Sequence, residues 1–340
     1  MIVWKIDNPG QIKKEDLGAS QVKENCAKVK MLCASLSVSD QMVYQGKIST
    51  LDYPIVPGRY GMGMVSETDE SVKAFKRGDR VYLASREACN ECYFCKMGRR
   101  SECMHLQTAG MDVDGVLADF VIAPIETMYL LPDRISDSEA IFIEHTSLAI
   151  RTLSVLKVGK GDHFAIIGAS ALGLIMAQVA LYYQAVPIVI DNREDRLEMA
   201  REQGIYYTIN SAKEDVQKKM FSITGGKMSK RIAYTLDADA LPTSKILSIA
   251  SANGRIGFVG SDVELEKMQV DAKAIVEKSA TLYGINQTSE HIVTAINMLA
   301  SKDVKVDNFI TKIGFDDVPE YLEKLSSGEE FIQLVVSLDK

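Results

Sequence analysis

The chain is predicted to be an α/β protein in which a doubly wound parallel sheet is joined to a mostly β domain. Its 340 residues exceed what one hydrophobic core usually organises, so two cores are expected. The first 140 residues are runs of Val, Ile and Tyr broken by Gly, Pro and Asp, as at Lys28–Cys33 and Asp79–Leu83, and these read as short strands. From about Ile141, helix-length segments alternate with buried strands. That rhythm requires crossover connections and a sheet covered on both faces.

Taken in order, 141–156 reads as a helix, 164–167 as a strand, 171–184 as a helix, 187–190 as a strand and 193–203 as a helix. Further strands are expected at 232–237, 255–259 and 281–285. The tail from Asn286 carries an amphipathic helix, Glu290–Ala300, and closes on a strand-like run, Phe331–Leu338. The uncharged stretch Phe164–Ile190 has the hydropathy of a membrane span, but Gly168, Gly173 and Pro187 divide it into strand, turn, helix and strand.

A composition of 46% hydrophobic and 25% charged residues is that of an ordinary folded protein. The net charge of −7 argues against a nucleic-acid surface, which usually shows clustered excess Lys and Arg. The N-terminus reaches charged residues at once and has no signal-peptide core, so a cytoplasmic protein acting on a small molecule, away from membranes, is expected. In that reducing setting the six cysteines are not expected to form disulfides, and four of them fall within fifteen positions.

The segment Phe164–Gly173 follows a buried strand and opens a helix, where a dinucleotide-binding turn belongs. Glycine there lets the backbone approach a pyrophosphate seated on the helix N-terminus. Ser170 replaces the middle glycine of the usual pattern. The next strand ends at Asp191, 23 residues beyond Gly168, where a carboxylate accepts the adenosine ribose hydroxyls and repels a 2′-phosphate. The cofactor set is therefore Gly168, Ser170, Leu172, Gly173, Asp191, Asn192, Arg196 and Val259, with NAD preferred over NADP. Arg193 and Arg196 could pair with a phosphate, but both also read as the solvated start of the next helix.

Cys89, Cys92, Cys95 and Cys103 place four soft ligands in a short lobe, 89–103, the donor set of a closed tetrahedral zinc site. No histidine or carboxylate in the lobe leaves an open position, so one structural zinc per chain is expected. Around it stand Ser71–Val81, Asp114-Gly115 before Ala118–Pro124, Glu144-His-Thr-Ser-Leu-Ala149 and Gly254–Gly260. On these motifs the chain resembles the zinc-containing medium-chain alcohol and polyol dehydrogenases, closest to the sorbitol and threonine dehydrogenase branch, over nearly all of its length. The resemblance implies a GroES-like catalytic domain, 1–147 and 287–340, with a Rossmann NAD domain, 148–286, inserted in it. It also implies an active site in the cleft, and a homodimer or homotetramer.

The chain departs from that family at the catalytic metal. Where the family holds zinc with Cys-Gly-Ser/Thr-Asp and Gly-His-Glu motifs, this sequence reads Ser37-Val38-Ser39-Asp40 and Gly58-Arg59-Tyr60, and of the three ligands only Glu144 remains. Cys33, four residues before Ser37, could be recruited only by breaking the match at Ser39-Asp40. Arg59 cannot ligate a cation, but it would place a permanent positive charge where zinc sits. The expected catalytic residues are Ser39, as the start of a proton relay, Arg59 as electrophile, Tyr60 as a proton donor loosened by that cation, and Glu144 as its counter-ion. The opposing reading makes Arg59 and Glu144 a buried scaffold pair. His105, His145, His163 and His291 have no motif partner. Hydride transfer to or from a carbonyl, alcohol or polar C=C bond is the leading expectation. The alternatives are an enzyme that recycles tightly bound NAD for epimerisation or elimination, and a non-catalytic NAD-binding protein.

Overall fold

The change of rhythm near Ile141 marks a passage between two units. Met1–Glu144, Thr288–Ala300 and Phe309–Lys340 form the first, and His145–Gln287 with Ser301–Asn308 forms the second. The chain is seen in a computed structural model that describes residues 1–18, 20–236, 240–260 and 269–338. The expected boundaries differ from these units most at 301–308. The reason is local: the buried side-chain amide of Gln178 donates to the Lys305 carbonyl at 3.0 Å and accepts from the Lys305 N–H at 2.8 Å. A buried amide with both ends satisfied holds that segment to its own unit.

The first unit is built on a seven-stranded sheet. Its path runs Ile310–Gly314, Gln333–Ser337, Cys26–Leu36, Gly61–Thr68, Arg80–Leu83 and Met128–Leu130, with Phe120–Pro124 also paired to Cys26–Leu36. All pairings are antiparallel except Ile310–Gly314 with Gln333–Ser337. Cys26–Leu36 alternates buried and accessible positions in its first half and is buried throughout its second, as a central strand covered on both faces must be. Val29, Met31, Leu36, Val81, Leu83, Leu117 and Val336 meet in its core.

The second unit carries a six-stranded sheet in the order Tyr207–Asn210, Val186–Asp191, His163–Ile167, Ser229–Thr235, Ala250–Val259, Thr281–Ile285, all parallel. Numbered along this unit the order is 3-2-1-4-5-6, the doubly wound Rossmann arrangement, whose strand order reverses beside the first strand. The strand expected at 232–237 is found at Ser229–Thr235, and position 237 lies outside the described residues. Helix Ala171–Tyr182 is buried from Ala171 to Ala180, so it has no polar face to display. That explains the uncharged stretch, and among the described residues no helix is long and apolar enough to cross a membrane. Strand Tyr207–Asn210 and helices Val216–Ile223 and Ala272–Lys278 were not expected from the sequence.

Candidate functional site

Strand His163–Ile167 runs into Gly168, whose φ of 103° lies where L side chains rarely go. Ser170 then caps helix Ala171–Tyr182, its hydroxyl accepting from the Gly173 N–H at 3.4 Å. The residue standing in for the middle glycine thus satisfies a helix-end donor. A Cβ on Gly173 would meet the Gly168 carbonyl oxygen at 1.9 Å, so only glycine lets the helix approach the turn this closely. Asp191, 1% exposed at the end of its strand, accepts from the Ala169 N–H at 2.7 Å and the Arg193 N–H at 2.9 Å. This carboxylate ties the glycine turn to the neighbouring strand. The turn, the helix N-terminus and Asp191 fit a dinucleotide's pyrophosphate and ribose.

The other expected cofactor residues are spread around this turn. Leu172 is buried, and Val259 is buried at the end of its strand with its carbonyl taking the Leu236 N–H at 3.0 Å. Asn192 is exposed, and Arg196 is half-buried on helix Glu194–Glu202. The Arg193 guanidinium makes a two-pronged pair with Asp195, at 3.1 and 2.6 Å.

In the lobe, the sulfurs of Cys89, Cys92, Cys95 and Cys103 all lie within 4.8 Å of one another. Tetrahedral coordination with zinc–sulfur bonds near 2.3 Å separates ligand sulfurs by ~3.8 Å, so the donor set fits. Backbone N–H groups of Cys89 and His105 point at the Cys103 sulfur, at 3.3 and 3.4 Å. The Cys92 thiol is lowered to about 6 by backbone hydrogen bonds from Cys95 and Met104, while burial pushes Cys95 up to about 12. Among the described residues these four form the only group of three or more His, Cys, Asp or Glu placed to hold a metal.

The remaining candidates gather in the first unit. Ser37 begins helix Val38–Gln45, and Asp40 reaches back to its N–H at 2.8 Å and its hydroxyl at 2.9 Å. The other Asp40 oxygen takes the Gly58 N–H at 2.8 Å. Gly58, at φ 92°, turns the chain where a Cβ would strike the Leu117 backbone at 2.9 Å. Asp40 therefore fixes the residue just before Arg59. Arg59 is 3% exposed, and its Nη1 donates to the Ser39 hydroxyl at 3.3 Å. Burial raises the Asp40 carboxyl, against its hydrogen bonds and the charge of Arg59.

Tyr60 corrects one expectation. Burial pushes its phenol far above the usual range, and Glu144 and Asp40 add to this; the Ser35 hydrogen bond and the Arg59 charge oppose them and lose. Its proton is held, not loosened. Glu144, in the first turn of helix Ile143–Leu156, accepts from the Tyr82 hydroxyl at 2.6 Å and from the Ser85 hydroxyl. Tyr82 is fully buried and its phenol is raised by that burial, so it serves as a donor that keeps its proton. Sequence reasoning missed Tyr82 and Ser85, because nothing in their local pattern points to a carboxylate about sixty residues on. Asp40 was visible only as a motif letter.

Residues 23–133 match the family model of the alcohol dehydrogenase GroES-like domain, and residues 171–301 that of the zinc-binding dehydrogenases. An uncharacterized zinc-type alcohol dehydrogenase-like protein of Haemophilus influenzae is 28% identical over 96% of this chain and 95% of its own. The L-threonine 3-dehydrogenase of Pyrococcus horikoshii is 28% identical over 88% of each. Among solved structures, a short chain alcohol dehydrogenase, rspB, of E. coli CFT073 in complex with NADH superposes with a TM-score of 0.89, at 22% identity over 99% of both chains.

Proposed function

Because the chain belongs to the zinc-type medium-chain alcohol/polyol dehydrogenase family, we propose that it is an NAD(H)-dependent oxidoreductase acting on a small carbonyl, alcohol or polar C=C substrate without catalytic zinc. The observation that carries this reading is Arg59, a buried guanidinium joined to Ser39; Arg59 stands where the family's Gly-His-Glu motif supplies a metal ligand, and Ser39 where its other motif supplies the relay hydroxyl. A bound nicotinamide supplies the hydride acceptor or donor. Arg59 supplies the positive charge that zinc otherwise gives to a developing alkoxide, an effect worth several kcal/mol in metal enzymes. Ser39 orients the guanidinium, Asp40 holds the turn that carries it, and Glu144 takes the substrate's proton. Tyr60 contributes volume and orientation, since its proton is retained.

Two finer points belong to the same proposal. NAD is the preferred dinucleotide, supported by the buried Asp191 carboxylate and by the pairing of the Arg193 guanidinium with Asp195. One zinc per chain is held by the four cysteines, supported by their mutual distances. The test is a panel of alcohols, polyols, aldehydes, ketones and enones followed by NADH absorbance, in chelator-treated buffer and again with added zinc. Turnover of at least one class without added metal is expected. Activity that appears only when zinc is supplied would overturn the metal-free chemistry.

A further inference from the structure

Ser85 stands at the meeting of two features. Its hydroxyl donates to Glu144 Oε1, and the residue is 1% exposed. It also lines a cavity of about 420 Å³ within the first unit, whose walls include Val116, Glu87 and Thr127. Exposed Gln21 and Lys23 line the same cavity, so it reaches the surface. A cavity of that size holds several waters, and Ser85 is among the residues that line it. Glu144 is otherwise enclosed, 7% exposed, with its second oxygen held by Tyr82 at 2.6 Å.

We propose that Ser85 is a proton relay, and that the proton Glu144 receives leaves the protein through this cavity. The inference rests on the dehydrogenase reading for where the proton comes from, but the route itself is a property of the chain. In alcohol oxidation the carbinol C–H bond breaks and its electron pair leaves as hydride to the oxidised nicotinamide dinucleotide. The O–H bond breaks and its proton passes to a Glu144 oxygen, and the C=O bond forms. Protonated Glu144 then donates to Ser85 Oγ as the Ser85 hydroxyl hydrogen passes to water in the cavity, which restores both groups. Reduction of a carbonyl runs the same path inward.

The two partners of Glu144 divide the work. Tyr82 is fully buried and is not among the residues lining the cavity, so its hydroxyl fixes the carboxylate. Ser85 touches Glu144 and lines the cavity, and so can conduct. Glu87, two residues on, lines the same cavity. Ser85 acts through Glu144 and is a positioning residue for the chemistry.

Two measurements on the full-length protein decide the matter. In the first, Glu144 protonation is followed by infrared absorption after a pH jump, its carboxyl band being identified by loss in Glu144→Gln. Ser85→Ala is expected to slow that equilibration at least tenfold while Ser85→Thr, which keeps the hydroxyl, restores it; equal rates in wild type and Ser85→Ala overturn the relay. In the second, Ser85→Ala lowers kcat about tenfold with NADH affinity unchanged, and imidazole or formate in the buffer recovers part of the loss. A kcat within twofold of wild type, with no buffer response, also overturns it. A wild-type protein that equilibrates quickly but turns over no alcohol or carbonyl refutes the dehydrogenase reading and leaves the relay standing.

Discussion

A Cβ placed on Gly173 would lie 1.9 Å from the carbonyl oxygen of Gly168, well inside contact distance of the backbone it faces. Backbone cannot yield as a flexible side chain does. Gly173→Ala is therefore expected to destabilise the second unit by about 1–3 kcal/mol, the usual cost of overpacking, and to weaken NADH binding at least tenfold. Calorimetry and fluorescence titration read the two effects separately. Wild-type behaviour in both would mean that the helix can slide away from the turn.

Asp191 governs the choice of dinucleotide in our reading. NADH should bind at least tenfold more tightly than NADPH, because a 2′-phosphate would meet a carboxylate already held in place by two backbone N–H groups. Asp191→Asn should narrow the ratio and lower affinity for NADH as well, since the turn loses a charged clamp. Equal titration curves for both cofactors in wild type would show that Arg193 leaves Asp195 for the phosphate.

Metal analysis of protein purified without chelator should return about one zinc per chain, in keeping with one four-thiolate group among the described residues. Cys95→Ser should lower zinc content and thermal stability together, because metal binding at such a site is part of the folding free energy. A second equivalent of tightly held zinc would contradict the proposed metal-free chemistry.

Arg59→Met should leave NADH affinity nearly unchanged and reduce turnover by two or more orders of magnitude. If Arg59 and Glu144 are a scaffold pair instead, loss of Arg59 strands a buried carboxylate, and stability falls by about 3–5 kcal/mol with partial recovery in Arg59→Met/Glu144→Gln. Tyr60→Phe is the companion experiment: a phenol whose proton is held should cost less than about threefold in kcat. A loss of a hundredfold there would restore Tyr60 as proton donor.

The legible parts of this chain are those where one local pattern decides the outcome. Helix Ala171–Tyr182 and the strands on either side of it could be read because apolar runs with glycine punctuation admit few other folds. The four cysteines could be read because their spacing is their chemistry. Strand Tyr207–Asn210 escaped because four residues carry no period, and it exists by pairing with Val186–Asp191. The environment of Glu144 escaped for a similar reason: Tyr82 and Ser85 belong to a strand and the turn after it, and only tertiary folding brings their hydroxyls to a helix far along the chain. The direction of the Tyr60 shift was misjudged because a neighbouring cation is visible in sequence, whereas complete burial is not.

The strand order of the first unit also sets a timetable. Gln333–Ser337, near the end of the chain, pairs with Cys26–Leu36, the earliest strand of that sheet. As the ribosome delivers the chain, the amino-terminal part emerges with the Cys33–Leu36 end of its central strand uncovered on one flank, Phe120–Pro124 having taken Cys26–Lys30. It keeps that exposed edge while nearly the whole second unit is made and can fold. The half-finished sheet is the form most open to unwanted strand pairing, so chaperone dependence should concentrate there, and truncation within Phe331–Leu338 should yield aggregates before it yields an inactive soluble enzyme.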